Sequence, residues 1–326
     1  MRLLVLGGTR FVGRALVEDA LAQGWQVTAL HRGRTGQLPE PVEVRHADRT
    51  EPASLARALA DDTWDAVVDT WSGAPQAVAR SADLLAGRAG RYGYVSSASV
   101  YRWGSHVDET SPLVEGDPQA GDGDYPANKR GAELAVLERF PDALLARAGL
   151  VLGPHEDIGR LPWWLGRIAR GGDVVAPGRP ERPLQYVDAR DLARWLLDGV
   201  SGDVIGAVDV IGRSGHTTTA GLLSACVAAT GSDARLVWVG EADLAAAGVE
   251  PWTQLPCWTP EHGEFAGFLE ADTRRAAATG LRCRPVEETV RDTWQWLQRD
   301  GFPPQRADRA VHGLPADLET QLLTAS

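Results

Sequence analysis

Residues 2–6, Arg-Leu-Leu-Val-Leu, run directly into Gly7-Gly8-Thr9-Arg10-Phe11-Val12-Gly13, and an amphipathic stretch follows at once. A short unbroken apolar run reads as a strand buried on both faces. In the stretch behind the glycines, Phe11, Val12, Ala15, Leu16, Ala20 and Leu21 share one side, and Gly24 closes it as a helix-ending glycine. A strand that turns through glycine straight into a helix leaves few folds open. Gly7 permits the tight turn, and Gly13 lets helix and strand approach closely. The first amides of the helix, with its positive dipole end, then face whatever lies above the turn, and a pyrophosphate suits that position.

The same alternation continues down the chain. Strands are expected at Trp25–His31, Val42–His46, Ala66–Asp69, Tyr92–Val95 and Ala143–Arg147, with helices near Pro52–Ala60, Gln76–Leu85 and Pro126–Phe140. Closely spaced βα units imply an α/β fold, a doubly wound parallel sheet of the Rossmann type. Ligands of such sheets sit beyond the carboxyl ends of the strands. Gly7, Gly8, Thr9, Arg10, Phe11, Val12 and Gly13 are therefore candidate dinucleotide contacts, although Arg10 stands where the middle glycine of that fingerprint usually is. Sheets that choose NAD place an acid at the end of the second strand, on the ribose. This chain has His31-Arg32-Gly33-Arg34 there, which with Arg10 makes a basic cradle suited to a 2′-phosphate. The expectation is NADP rather than NAD, with Arg32 as its contact.

Composition narrows the setting. The formal net charge of −11 opposes nonspecific binding to nucleic acid or to an anionic membrane. Cys226, Cys257 and Cys283 are odd in number and widely spaced, with neither a disulfide framework nor zinc spacing. A reducing cytoplasm fits them. No apolar run approaches membrane-spanning length.

Lysine is used once in 326 residues, at Lys129, four positions after Tyr125. Spacing i,i+4 puts the two on one helix face. Pro126 is tolerated only in a first turn, so the helix should begin near Tyr125. A neighbouring ammonium favours a phenolate and lowers a tyrosine's pKa from its usual value of about 10, toward the range of a general acid/base. Upstream, the fifth strand ends in Ser96-Ser97-Ala98-Ser99-Val100-Tyr101, at the carboxyl edge where a ligand would lie.

Taken together, the glycine loop, Ser97, Tyr125 and Lys129 resemble the extended short-chain dehydrogenase/reductases, the group of NAD-dependent epimerases and dehydratases, over roughly residues 1–300. That resemblance implies Tyr125 as general acid/base, Lys129 as its tuner and holder of the nicotinamide ribose, and Ser97 as the hydroxyl on the reacting oxygen. It further implies Asp48 near the adenine with Arg49 beside it, Thr70 and Trp71 flanking the cofactor, and a homodimer built on a pair of long helices. The activity so implied is an NADP-dependent reductase or dehydrogenase acting on the carbonyl or alcohol of a small metabolite. Two alternatives stand beside it. One is an NAD-dependent nucleotide-sugar epimerase, which the serine motif resembles. Against it, Arg147-Ala148-Gly149-Leu150-Val151-Leu152-Gly153-Pro154 lacks the asparagine such enzymes use. The other is a non-catalytic nucleotide- or RNA-binding relative, because the glycine loop is also similar to plant RNA-binding members.

The dinucleotide domain is expected to comprise residues 1–150 and 184–212, a smaller mixed α/β substrate domain residues 151–183 and 213–302, and an extension without assigned role residues 303–326. Strands are expected at Val208–Ile211 and Leu236–Val239, and helices at Leu161–Arg170, 217–230 with Thr217 or Thr218 as cap, and 285–300. By the resemblance, Trp163, Trp164, Trp252 and Trp258 lie in elements that line the substrate pocket, with Phe265 nearby, which points to a hydrophobic or aromatic substrate. His155-Glu156-Asp157 lacks metal-ligand spacing and reads as a solvated loop. No metal is expected.

Overall fold

A computed structural model describes residues 1–102, 107–263, 267–306 and 309–325. Phe265 falls outside the described residues.

The first half is built of β1 (Arg2–Leu6), α1 (Phe11–Ala22), β2 (Gln26–His31), β3 (Glu43–His46), α2 (Pro52–Leu59), β4 (Trp64–Asp69), α3 (Pro75–Leu85), β5 (Ala89–Ser97), α4 (Tyr125–Leu137) and β6 (Leu144–Ala148). Next come β7 (Val151–Leu152), α5 (Arg160–Ala169), β8 (Asp173–Pro177), β9 (Pro183–Leu184), β10 (Val187–Asp188), α6 (Ala189–Ser201) and β11 (Gly206–Val210). The chain ends in β12 (Thr217–Thr218), α7 (Thr219–Thr230), β13 (Arg235–Val239), α8 (Glu241–Ala246), α9 (Arg274–Ala278), α10 (Val286–Asp300) and α11 (Ala316–Ala325). Seven of the strands form one parallel sheet in the order β11-β6-β5-β4-β1-β2-β3.

The sheet is wound on both faces, and β1 shows why an unbroken apolar run was needed. Leu3 and Val5 point into a core shared with Phe11 and Leu16 of α1 and with Leu192 and Leu196 of α6. Leu4 and Leu6 point the other way, against Leu55 of α2, Val78 of α3 and Val136 of α4. Alternate residues of one strand thus serve opposite layers. The order turns outward on either side of β1 and β4, so the carboxyl ends of β1, β4 and β5 open onto one crevice.

A second core joins α5, α7 and α10 with the parallel pair β8 and β13. Thr218, one of the two expected caps, accepts from the Gly221 amide at 3.0 Å and starts α7. Trp164 and Trp258 are buried in this core, 1% and 3% exposed. α11 docks on the same layer: Leu322 enters the core, and Glu319 takes the Arg167 guanidinium at 2.7 Å.

Candidate functional site

A cleft of about 1130 Å³ lies over the carboxyl ends of the central strands, walled on its far side by the second region. The glycine loop forms its floor. Gly7 has φ +125°, and a Cβ there would fall 2.2 Å from Thr70 Oγ1, itself held by a 3.1 Å hydrogen bond to the Leu6 carbonyl. At Gly13 a Cβ would sit 2.7 Å from the Gly8 amide nitrogen, so α1 can start hard against the turn only with glycine there. Arg10, just ahead of α1, makes no side-chain capping bond. The first amides of a twelve-residue helix are thus left facing the cleft, the arrangement that receives a diphosphate. The loop fits a dinucleotide on these grounds.

Tyr125 opens α4 as its spacing predicts. Asp124 accepts from the Ala127 amide at 2.8 Å, and Pro126 occupies the first turn. Lys129, one turn on, is 3% exposed and points inward. Its ammonium donates to the main-chain oxygens of Trp71 at 2.8 Å and Val95 at 2.6 Å, and lies 4.7 Å from the centroid of the Tyr94 ring. Burial pushes its pKa down to about 7, with Arg309 and Arg49 adding to the effect and Asp69 and Glu133 opposing it. An ammonium has three donors, so one N–H remains beyond the two carbonyl bonds. Tyr125, Lys129, Ser97 and the glycine loop all line the one cleft.

The serines divide by strand alternation. Ser97 Oγ accepts from the Ser99 amide at 3.2 Å and lines the cleft. Ser96 Oγ instead donates to Glu133 at 2.7 Å, in a buried network where Arg147 bonds both Glu133 and the Tyr101 hydroxyl. Tyr101 Oη in turn donates to Asp209 at 2.7 Å. That network fixes the end of β5 from below.

The other expected cofactor contacts are placed less uniformly. Thr9, Phe11, Val12, Arg32, Thr70 and Trp71 line the cleft. Trp71 is pinned by its Nε1 donating to the Ala74 carbonyl at 3.0 Å. Asp48 folds back on Thr50, accepting from its amide and hydroxyl at 3.0 and 2.7 Å, and these bonds hold its carboxyl below the usual range. Arg49 is 4% exposed, and its guanidinium forms a two-pronged pair with Asp69 at 2.6 Å and a bond to Ser81 at 2.8 Å. Its guanidinium is committed to that pair, 5.1 Å from the Trp71 ring, while the residue also lines the cleft. Arg10 also lines the cleft and pairs there with Asp157 at 3.1 Å.

His155-Glu156-Asp157 corrects the reading of a solvated loop. Glu156 is fully buried and accepts from the Arg160 and Leu161 amides at 2.7 and 3.1 Å, capping α5. Burial raises its pKa to about 7. His155 packs on Trp296 with centroids 5.1 Å apart. The loop was polar because a helix start needed acceptors.

Sequence reasoning missed the residues that close the far end. Residues after α10 return to the cleft, and the Arg309 guanidinium lies 4.6 Å from the Tyr125 ring centroid. Gln305 grips the main chain of His312 through both atoms of its amide, at 2.7 and 3.0 Å. The Gly313 amide donates to the Thr253 carbonyl at 3.0 Å. Of the four tryptophans expected near a pocket, Trp252 lines it.

The family model described as the NAD dependent epimerase/dehydratase family matches residues 3–87. The 2′-dehydrokanamycin reductase of Streptomyces kanamyceticus is 31% identical over 202 residues, 60% of this chain and 54% of that protein. The chloroplast stem-loop binding protein of 41 kDa b from Arabidopsis thaliana is 25% identical over 249 residues, 71% of this chain and 63% of that protein. The chain therefore spans less than two thirds of the length of either relative. The UDP-glucose 4-epimerase of Thermus thermophilus, solved in complex with NAD, superposes with a TM-score of 0.65 over 92% of this chain and 100% of that one. At 20% identity that likeness is one of fold.

Proposed function

The chain belongs to the NAD-dependent epimerase/dehydratase family, and from that premise we propose that it is an NADP-dependent oxidoreductase working on a carbonyl or alcohol of a small metabolite. The observation that carries the reading is the meeting of Tyr125, Lys129 and Ser97 with the glycine loop in one cleft.

A nicotinamide dinucleotide bound there supplies or accepts hydride at the ring carbon facing the substrate. Its diphosphate would rest on the α1 amides, and its adenosine end would reach the carboxyl edge of β2. At that edge Arg32 and Arg34 are exposed, and Arg34 lies 4.0 Å from Asp48. With no acid at the end of β2, two exposed guanidiniums suit a 2′-phosphate. Tyr125 passes the proton to or from the reacting oxygen, and the Ser97 hydroxyl donates to that oxygen as charge builds on it. Lys129 offers its third N–H to the cleft from a position fixed by two strand-end carbonyls.

Calorimetric titration with NADPH and NADH tests the reading. NADPH should bind more tightly, and Arg32→Ala should weaken NADPH about tenfold while moving NADH little. Tighter NADH binding removes the NADP assignment, and failure to bind either nucleotide removes the oxidoreductase. A sugar epimerase is the second reading, favoured by the fold it shares with the Thermus enzyme. An NAD that stays bound through purification would support it. The formal net charge of −11 weighs against the RNA-binding reading.

A further inference from the structure

Among the described residues, the far end of the cleft carries two arginines without an acidic partner within ion-pair distance. Among the described residues, neither Arg160 nor Arg309 forms an ion pair, and Nε of each is buried with no hydrogen-bond acceptor. The two acids just ahead of α5 are already committed. Asp157 is held by Arg10, and Glu156 caps α5. His312 stands with them, 7% exposed, its Nδ1 also without a partner. Burial, and then the charge of Arg160, push this imidazole down to about 4, so it is neutral and adds no charge of its own. Both guanidiniums lie over aromatic rings. Arg309 covers Tyr125 at 4.6 Å, and Arg160 covers Trp252 at 4.9 Å. Trp252 in turn meets Phe268 edge-on, with centroids 4.8 Å apart, and both rings line the cleft.

Buried nitrogens that lack partners in a native fold call for an explanation, and an absent ion is one of the ordinary ones. Here the shortage is of acceptors, on planar forks suited to two-pronged recognition of an oxyanion. We propose that Arg309 and Arg160 form a subsite for an anionic group of the substrate, a carboxylate or a phosphate monoester. The body bearing that group is apolar and lies against Trp252 and Phe268, with its reacting carbon at Tyr125. The inference takes from the preceding reading only the role of Tyr125. Arg309 then acts in specificity: an arginine from the chain's last forty residues reaches the ring that does the chemistry.

The test is calorimetric titration with benzoate, phenyl phosphate and benzyl alcohol, each with and without saturating NADPH. At least one of the two anions should bind saturably, and benzyl alcohol at least about tenfold more weakly. The tighter of the two anions identifies the group. Arg309→Met and Arg160→Met should each weaken that anion about tenfold or more, and Arg309→Lys should restore part of the loss. The proposal is overturned by equal binding of the alcohol, by anion binding that both Met variants leave unchanged, or by no saturable anion binding. Should a Met variant fail to show a thermal unfolding transition, the preference of the wild-type protein for anion over alcohol decides alone. NADPH binding without any anion binding overturns this subsite and leaves the oxidoreductase reading standing. Anion binding without NADPH binding does the reverse.

Discussion

Lys129 Nζ donates a 2.6 Å hydrogen bond to the main-chain oxygen of Val95, two residues before Ser97. That one bond ties the helix that presents Tyr125 to the strand that presents Ser97. A second, to the Trp71 oxygen at 2.8 Å, adds the end of β4. The ammonium is thus a fastener among three cleft-lining segments as well as a donor to the cleft.

A buried ammonium costs stability while it is charged. The Lys129 pKa is lowered to about 7 in the folded protein, against about 10.4 for lysine in an unfolded chain. Between those values the unfolded state binds the extra proton, so this group's contribution rises with pH there, by up to about 1.4 kcal/mol per unit. Below the folded value the penalty is constant. Denaturant unfolding of wild type and Lys129→Met from pH 6 to pH 9 should therefore show wild type gaining on the variant as pH rises. A difference independent of pH would contradict the burial.

Ser96 and Ser97 are neighbours with separate duties. Ser97→Ala should lower kcat/KM about tenfold to a hundredfold with little loss of stability. Ser96→Ala should cost about 1–2 kcal/mol of stability, since Glu133 loses a buried donor. Thermal unfolding and steady-state kinetics of the two variants separate these outcomes.

Arg49 was expected to touch the cofactor, and its guanidinium is held by Asp69. Breaking such a pair from one side leaves a buried charge, so Asp69→Ala should destabilise the protein by about 3–5 kcal/mol. Arg49→Met should likewise lower stability far more than it lowers NADPH affinity. A melting temperature close to wild type in both would show that the pair carries little of the fold.

Gly7→Ala places a methyl 2.2 Å from Thr70 Oγ1 at a backbone angle of φ +125°. Either feature alone displaces the turn. The variant should lose measurable NADPH binding in titration, and the additional exchange Thr70→Ala should not recover it, because the angle remains unsuited to an L side chain.

What the sequence made legible was local. β1, the glycine turn and α1 follow from periodicity over about twenty residues. The Tyr125/Lys129 pair follows from one helical turn and a proline. The rest depends on which distant segments meet. Arg309 reaches Tyr125 from 184 positions away, a separation no local pattern encodes. Arg10 read as a phosphate contact because of its place in the loop, and the fold also brings Asp157 to it, a pairing no local pattern encodes. Arg49 differed from Arg32 only in facing Asp69, at the end of a central strand. The Trp164 and Trp252 side chains were equally plausible pocket walls, and the packing of α5 buries the first and leaves the second at the cleft.

The central claim is that the Tyr125 hydroxyl moves the proton beside a bound nicotinamide dinucleotide. Its most direct measurement is turnover and NADPH affinity of Tyr125→Phe, side by side with wild type. The account predicts a fall in kcat of about a hundredfold to ten-thousandfold with NADPH affinity kept within about threefold. Near-normal turnover in the phenylalanine variant would contradict it.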